Sequence, residues 1–360
     1  MRTPTQPRHH LSRRGFSLAA LGLGTSGFLA ACGGQESTAG AAAGGGSATG
    51  ALTVQMSWYP NAQSGGWYAA ANQELFSDAG LDVTLAPGGA NISGLTLLTS
   101  NQVQIASMTA ESYLDARDQG IPLMAVGADW DVSPTGVMTK KSLRATGWKD
   151  LGGKTWAVTQ TSIGQDWVKE SQGIEFTTQQ YSGSIAPFLQ SDDLVQQAFP
   201  TNEVYTASTE GVPVDFFPYL DAGYRPYGNL LVATTQFLDE KGDLVKAVLG
   251  AAAEGWARYV SDVAVATATN ADLKKSNEQL AEDQNWYAWD TQRQYVLGER
   301  TTMSSMTDDR WTEFAGQLQE LGRIEKDFAA KDLHTAEFLP DVAVPTTLPP
   351  APAGSYTGQA

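Results

Sequence analysis

Apolar and polar positions alternate with a period of two over Leu52-Thr53-Val54-Gln55-Met56, then change to helical spacing from Gly66 to Phe76. Gly80 makes a turn, and Leu81 to Leu85 alternates again as a second strand. Pro87 to Asn91 reads as a loop, Ser93 to Thr99 as a helix and Val103 to Ala106 as a third strand. Ala110 to Gln119 is helical, and Ile121 to Gly127 is a fourth strand. Strands alternating with helices predict a largely parallel sheet covered on both faces. In open sheets of this kind ligands sit beyond the carboxyl ends of strands. Here that junction is the stretch Met56 to Asn61, flanked by Trp58, Tyr59, Trp67 and Tyr68.

The alternation restarts near Val137-Met138-Thr139. A turn then a strand is expected over Leu151–Val158, with further strands at Phe176–Tyr181 and Val212–Phe217 and helices at Gly164–Ser171, Ile185–Gln190 and Asp193–Gln197. Leu230 to Thr234 is the strand expected to return to the first lobe. The rest is helical: 242–261, 271–283, 290–300 and 308–321, with acidic residues near the starts and Arg or Lys near several ends. The Pro-, Ala- and Thr-rich segment 341–360 is expected to be disordered. The pattern predicts an α/β protein of two lobes facing a cleft. Lobe 1 comprises 51–136 and 230–340, lobe 2 comprises 137–229, and each is a mainly parallel sheet flanked by helices.

The first 50 of the 360 residues belong to neither lobe. Paired Arg13-Arg14 precede an apolar run from Leu18 to Ala31, too short to span a bilayer and ending in small residues. Residues 1–31 therefore read as an export signal of the twin-arginine type. Leu29-Ala30-Ala31-Cys32 resembles the bacterial lipoprotein box, in which the cysteine is lipidated (with palmitate-type chains) and becomes the new N-terminus. Residues 32–50 follow as a flexible Gly/Ala/Ser tether. The pattern Gly22-x-Gly24-x-x-Gly27 follows no strand, so it is not a dinucleotide fingerprint. Localisation to the outer face of the cell membrane is the expectation.

The formal charge is −16, and loss of the four arginines before Cys32 leaves 19 basic against 39 acidic residues, or −20. Such a surface repels nucleic acid, which is not expected as a partner. With Cys32 the single cysteine and His334 the one histidine beyond the signal, nucleophilic triads, Cys–His pairs and zinc sites lack their side chains. A pair of carboxylates for acid–base work, such as Asp129 and Asp131, remains open, though a solvated loop is the plainer reading. The chain is not expected to be an enzyme, and no cofactor or metal is expected.

Several segments in order resemble one family: Trp58-Tyr59-Pro60-Asn61 with Gly66-Trp67-Tyr68-Ala69; Leu75-Phe76 with Gly80-Leu81-Asp82-Val83; Asp150-Leu151-Gly152-Gly153-Lys154; Glu203-Val204-Tyr205; Asp308-Asp309-Arg310-Trp311. From Leu52 to Pro340 the chain resembles the solute-binding lipoproteins of bacterial ABC importers for nitrate, sulfonates, taurine and thiamine-pyrimidine precursors. It is nearest to the thiamine-pyrimidine (NMT1/THI5-like) branch. The resemblance implies a type II periplasmic-binding-protein fold that closes on a small molecule and delivers it to a permease and its ATPase. It also implies a monomer, tethered to the membrane at Cys32.

The expected solute is a small aromatic or heterocyclic nutrient: a pyrimidine thiamine precursor or a related vitamin-like ring, with a flavin as the largest considered. A sulfonate- or nitrate-type anion and a surface sensor are the alternatives. Ser57 and Gln63-Ser64 replace the acid and the histidine usual in the branch. For the site, Trp58 is expected to stack on the ring, with Asn61 and Tyr68 as hydrogen-bond partners. Glu111 and Glu203 are the acceptors the resemblance implies, and Trp130 a further flat face. Gly88, Gly89 and Ser162 stand at loop-to-helix junctions where backbone N–H groups can face a cleft. Most also have a plain structural reading: core packing for Trp58 and Tyr68, hinge packing for Trp130, surface charge for the glutamates, turn and cap duty for Gly88, Gly89 and Ser162.

Overall fold

The computed structural model describes residues 50–356 apart from Ala90, Gln160 and Thr161. The segments expected to be an export signal and a tether, with Cys32, lie outside the described residues. In the first half the order is β1 (Gly50–Gln55), α1 (Gly65–Asn72), α2 (Leu75–Asp78), β2 (Leu81–Ala86), α3 (Gly94–Thr99), β3 (Ile105–Met108), α4 (Ala110–Asp118) and β4 (Leu123–Trp130). There follow β5 (Gly136–Lys140), β6 (Thr155–Val158), α5 (Gly164–Gln172), β7 (Thr177–Gln180), α6 (Ala186–Gln190), β8 (Val195–Ala198), α7 (Tyr205–Thr209) and β9 (Val214–Pro218). The chain then returns as β10 (Gly228–Thr234) and finishes in α8 (Thr235–Ser261), α9 (Val263–Ser276), α10 (Glu282–Leu297) and α11 (Asp308–Glu320).

Two five-stranded sheets result, ordered β2-β1-β3-β10-β4 and β7-β6-β8-β5-β9. In each, the first three neighbours are parallel and the strand that has crossed from the other lobe is antiparallel to both its partners. The sheets are thus mixed but mainly parallel: four strands of each run one way, and the crossing strand alone opposes them because it enters from the opposite end. The lobes are joined by two short crossovers, 131–135 and 219–227, which hydrogen-bond to one another through Ser133 N and the Pro226 carbonyl at 2.8 Å.

The alternation in β1 puts Leu52 and Val54 into a core with Ile105, Trp67 and Trp256. There α1 and α8 touch almost backbone to backbone. A Cβ on Gly255 would lie 2.3 Å from the Gly66 carbonyl oxygen, and one on Gly66 would lie 2.1 Å from the Trp256 ring. Trp67 is consequently fully buried, and its indole N–H donates to Asp129 at 2.9 Å.

Several expectations are corrected. Residues 193–197 are not helical: Val195–Ala198 is the central strand β8, with Val195 fully buried. The helix expected over 271–283 lies earlier, because Asp262 caps α9 by accepting from Ala264 N at 2.7 Å. Nor is the Pro-rich end disordered through its described part. Met303 N donates to the Val342 carbonyl at 2.8 Å, Arg293 to the Pro349 carbonyl at 2.6 Å, and the Tyr356 hydroxyl to Asp290 at 2.6 Å. Backbone donors and an arginine on α10 hold it where composition alone predicted freedom.

Candidate functional site

The crossovers and the carboxyl ends of β4, β6 and β8 enclose a cavity of about 640 Å³ between the lobes. Lobe 1 supplies the start of α4 (Thr109, Glu111, Ser112), Trp130 at the end of β4, and Gln63 from a 3-10 turn. Lobe 2 supplies Thr159, Ser162 to Gly164 at the head of α5, and Gln197 and Phe199 around the end of β8. The crossovers themselves add Ser133 to Thr135, Tyr219, Tyr224, Pro226 and Tyr227, and the start of β10 adds Gly228 and Asn229. A larger and more open depression, about 1050 Å³, lies at the other end of the first sheet beside Gly50, Met124 and Phe237, away from both crossovers.

Local chemistry explains why these side chains sit here. Thr109 caps α4 by accepting from Ser112 N at 3.2 Å, which fixes the helix start at the cavity wall. Asn229 opens β10 with a positive φ of 48°, a conformation asparagine tolerates better than most residues. Its amide donates to the Gln63 carbonyl at 3.1 Å, and Ser57 Oγ donates to its side-chain oxygen at 3.2 Å. One residue at the start of β10 therefore holds the loop after β1.

Trp130, Tyr219, Tyr224 and Tyr227 are each only 2–3 % exposed, so the cavity has an aromatic floor. The Trp130 indole N–H has no hydrogen-bond partner among the described residues. Tyr224 donates its hydroxyl proton to Glu111 at 2.9 Å. Burial holds the Glu111 carboxyl above the usual range, the nearby charge of Asp115 adds to that, and the Tyr224 bond partly offsets it. Tyr224 is raised well above an ordinary phenol by burial and by the facing Glu111. The charged side chains of the lining are Glu111, Asp115, Asp118 and Arg323. Arg323 is paired across the cleft with Asp166 on α5.

Three of the residues singled out from sequence meet at this cavity: Glu111, Trp130 and Ser162. The others lie elsewhere. Trp58 is 46 % exposed and packs edge-on against Tyr59 at 5.5 Å, outside the lining. Asn61 spends its side-chain oxygen on the Gln63 N–H at 2.9 Å, capping the 3-10 turn. Tyr68 is partly buried on α1 and also stands outside the lining. Gly88 donates its N–H to the Trp58 carbonyl at 3.0 Å and, like Gly89 against the Tyr59 ring, serves loop packing.

Glu203 is buried in a π turn (Pro200–Val204), where it accepts from Tyr181 at 2.8 Å, Phe199 N at 2.7 Å and Asn202 at 2.8 Å. Its carboxylate is already satisfied by the protein, and its effect on the cavity runs through Phe199. The sequence reading does not single out the aromatic return crossover, Tyr219 to Tyr227, although it carries the same aromatic-plus-proline signal as the loop after β1.

His334 accepts or donates at Asp308 Oδ1 over 2.7 Å and stacks on Trp311, outside the cavity lining. Among the described residues no group of three His, Cys, Asp or Glu is placed to hold a metal ion, and no helix is long and apolar enough to cross a membrane.

A two-lobed fold with a walled cavity at its crossovers narrows the comparison with known proteins. The profile of a family described as NMT1/THI5 like matches residues 61–264, more than half of the chain. The chain belongs to the NMT1/THI5-like family. No curated protein gives a significant match. Among solved structures, the periplasmic aliphatic sulphonate binding protein SsuA of Escherichia coli superposes with a TM-score of 0.62 at 15% identity, over 83% of this chain and 94% of that one. The alkanesulfonate-binding protein SsuA of Xanthomonas axonopodis pv. citri, bound to MOPS, gives 0.58 at 14% identity over 79% and 97%. A ligand-binding component of an ABC-type import system from Staphylococcus aureus, with zinc bound, gives 0.56 at 12% identity over 80% and 97%. Identities of this order establish the periplasmic-binding-protein fold and nothing finer.

Proposed function

We propose that this family member is the solute-binding component of an ABC-type importer, and that it captures a small aromatic or heterocyclic solute between its lobes. The observation that carries this reading is the 640 Å³ cavity, floored by Trp130, Tyr219, Tyr224 and Tyr227 and placed at the two crossovers. A flat ring held against such a floor gains about 0.5–1.5 kcal/mol per aromatic contact beyond the area it buries. The 131–135 and 219–227 segments act as the hinge, so closure shuts the solute away from water and presents a closed form to a permease and its ATPase. Trp58, at the outer lip of lobe 1, meets the solute or the permease only at its edge. The protein works as a monomer, exported through its paired arginines and held at the outer face of the membrane by lipid on Cys32.

The test is direct. Protein purified without added solute is denatured mildly, and the released small molecules are identified by mass spectrometry. An aromatic heterocycle that rebinds stoichiometrically and is recovered unchanged supports the proposal, whereas catalytic conversion of it refutes binding as the function. A Cys32→Ser variant should leave the membrane fraction.

A second reading, a sulfonate-type anion, is favoured by the solutes in the names of the SsuA structures. A cation in the cleft would favour it, and the single lining cation among the described residues, Arg323, already faces Asp166.

A further inference from the structure

Away from the crossovers, lobe 2 also meets lobe 1 through the π turn Pro200–Val204 and the residue after it. The Tyr205 hydroxyl donates to Asp283 at 2.8 Å, its ring lies 4.6 Å from the Tyr287 ring, and Gln284 Nε2 donates to Asn202 at 2.8 Å. The three lobe 1 partners stand in the first two turns of α10. The other end of α10 reaches the outgoing crossover, where the Tyr295 and Val296 carbonyls accept from Val132 N and Asp131 N, both at 3.2 Å. At 1.5 Å per residue the two ends of this bar are about 20 Å apart. A contact that far from the hinge has to break before the lobes part. The same π turn is tied to the cavity, because Glu203 accepts from the N–H of the lining residue Phe199 at 2.7 Å.

Tyr287 also meets the C-terminal strap, 344–356. The Tyr356 ring stands edge-on to it at 5.4 Å, and the Tyr356 hydroxyl donates to Asp290 at 2.6 Å. Arg293 donates to the Pro349 carbonyl at 2.6 Å, and Ala351 is buried in the lobe 1 core. Asp283, Tyr287 and Asp290 recur at i, i+4 and i+7, so one face of α10 takes lobe 2 at its start and the strap beyond. Tyr205, Tyr287 and Tyr356, from three separate parts of the chain, thus form one row of rings across the lobe boundary.

We propose that the C-terminal strap is a brace for the closed form: it holds Tyr287 in place for Tyr205 and so sets how readily the lobes part. This rests on the hinge reading above and concerns the chain itself, whatever the solute. Tyr287 is only partly buried, and without Tyr356 its ring regains rotamers that point away from Tyr205. The contact between the lobes then carries the entropy cost of ordering that ring anew at each closure. Prolines suit the strap to this task. Pro345, Pro349, Pro350 and Pro352 restrict the unfolded segment, so a short extended run is ordered at small entropic cost and with few hydrogen bonds of its own. An intact strap lengthens the time a solute stays between the lobes.

The experiment measures the distance between the lobes in protein freed of co-purifying solute. Spin labels are placed on Asp239→Cys in α8 and Glu170→Cys in α5, both exposed, in a Cys32→Ser background that removes the single native cysteine. Pulsed electron resonance then gives the distribution of separations for the parent, Tyr287→Ala, Tyr356→Ala and the double variant. Both tyrosines are partly exposed, so the variants should fold; circular dichroism melts check this. Each single change should raise the open fraction about threefold or more, the range of one aromatic contact. Tyr356→Ala should add nothing once Tyr287 is gone, because residues that act through one contact are not additive. An unchanged distribution in Tyr356→Ala overturns the brace and leaves the solute-binding reading standing, since no solute enters the measurement. Effects that multiply in the double variant overturn the route through Tyr287.

Discussion

Arg310 Nη1 donates to the Asp131 carboxylate at 2.8 Å, and the same guanidinium donates through Nε to the Arg225 carbonyl at 3.0 Å. Asp131 opens the outgoing crossover and Arg225 lies in the return one, so a single side chain from α11 ties both connections between the lobes. Asp131 also accepts from Glu299 N at 3.0 Å, and the Arg310 guanidinium sits 4.3 Å from the Tyr227 ring. The pair is largely removed from water, with side-chain exposures of 14% and 5%.

Removing one member of a buried pair leaves the other desolvated and unpaired. Arg310→Ala should therefore lower the free energy of unfolding by about 3 kcal/mol, read from urea denaturation. It should also broaden the distribution of lobe separations in small-angle scattering. A stability loss with an unchanged scattering profile would mean the tie supports packing and does not restrain the hinge.

Trp130 and Trp58 make opposite expectations. Trp130→Phe keeps a ring on the cavity floor but loses part of the stacking face, so solute affinity should drop by up to about tenfold, the range of one aromatic contact. Its melting temperature should stay within a few degrees. Trp58→Ala removes an exposed ring outside the lining and should leave affinity within about twofold. Calorimetric titration of both variants against the co-purified solute decides. A larger loss for Trp58 would place it over the solute in the closed form.

Most of the fold was legible because buried strands and amphipathic helices announce themselves by period: β1 to β4, the return at Leu230 and α11 stand where the pattern put them. The misreadings share a cause. Strand β8 carries Gln196 and Gln197, which look wrong for a centre strand. Yet Gln196 donates to the Gln197 carbonyl, and Gln197 accepts from Thr159 N at 2.8 Å, so both polar groups are satisfied locally. The site was half legible for a similar reason. Aromatic residues near a strand end mark a junction, but the sequence does not say which rings turn inward. Trp67 became core because Gly66 and Gly255 bring α1 against α8, a contact between segments nearly 190 positions apart. Tyr219, Tyr224 and Tyr227 became the cavity floor because the return crossover passes between the lobes. Pairings across such distances leave no local trace.

Asp129, beside Trp130 in β4, supplies a pH dependence. Its carboxyl is buried, and despite the Trp67 N–H bonds to both oxygens burial raises its pKa from 3.8 to about 7. A carboxyl raised in the folded state binds protons there that the unfolded chain has released. Its contribution is thus most favourable below pH about 4 and is lost as pH rises to about 7. Glu111 and Asp115 are shifted in the same direction. Urea midpoints measured from pH 4 to pH 8 should fall for the wild type relative to Asp129→Asn, which cannot ionise. A constant offset between the two proteins across that window would rule out Asp129 as the source.

Two glycines in the same helix should respond with opposite signs. In α8, a Cβ on Gly250 would meet nothing within 4 Å, whereas one on Gly255 would lie 2.3 Å from the Gly66 carbonyl oxygen and 2.7 Å from the Ala70 Cβ. Gly250→Ala removes backbone freedom from the unfolded chain without a clash and should stabilise by about 0.5–1 kcal/mol. Gly255→Ala makes the same entropic gain but must push α1 away from α8, and overpacking of this kind costs about 1–3 kcal/mol. Because α1 carries Trp67, and Trp67 holds Asp129 next to Trp130, that displacement should reach the cavity floor. Solute affinity is therefore expected to weaken in Gly255→Ala and to stay unchanged in Gly250→Ala. Denaturant titration gives the two signs, and equal affinities in the two variants would show that the α1–α8 contact is insulated from the cleft.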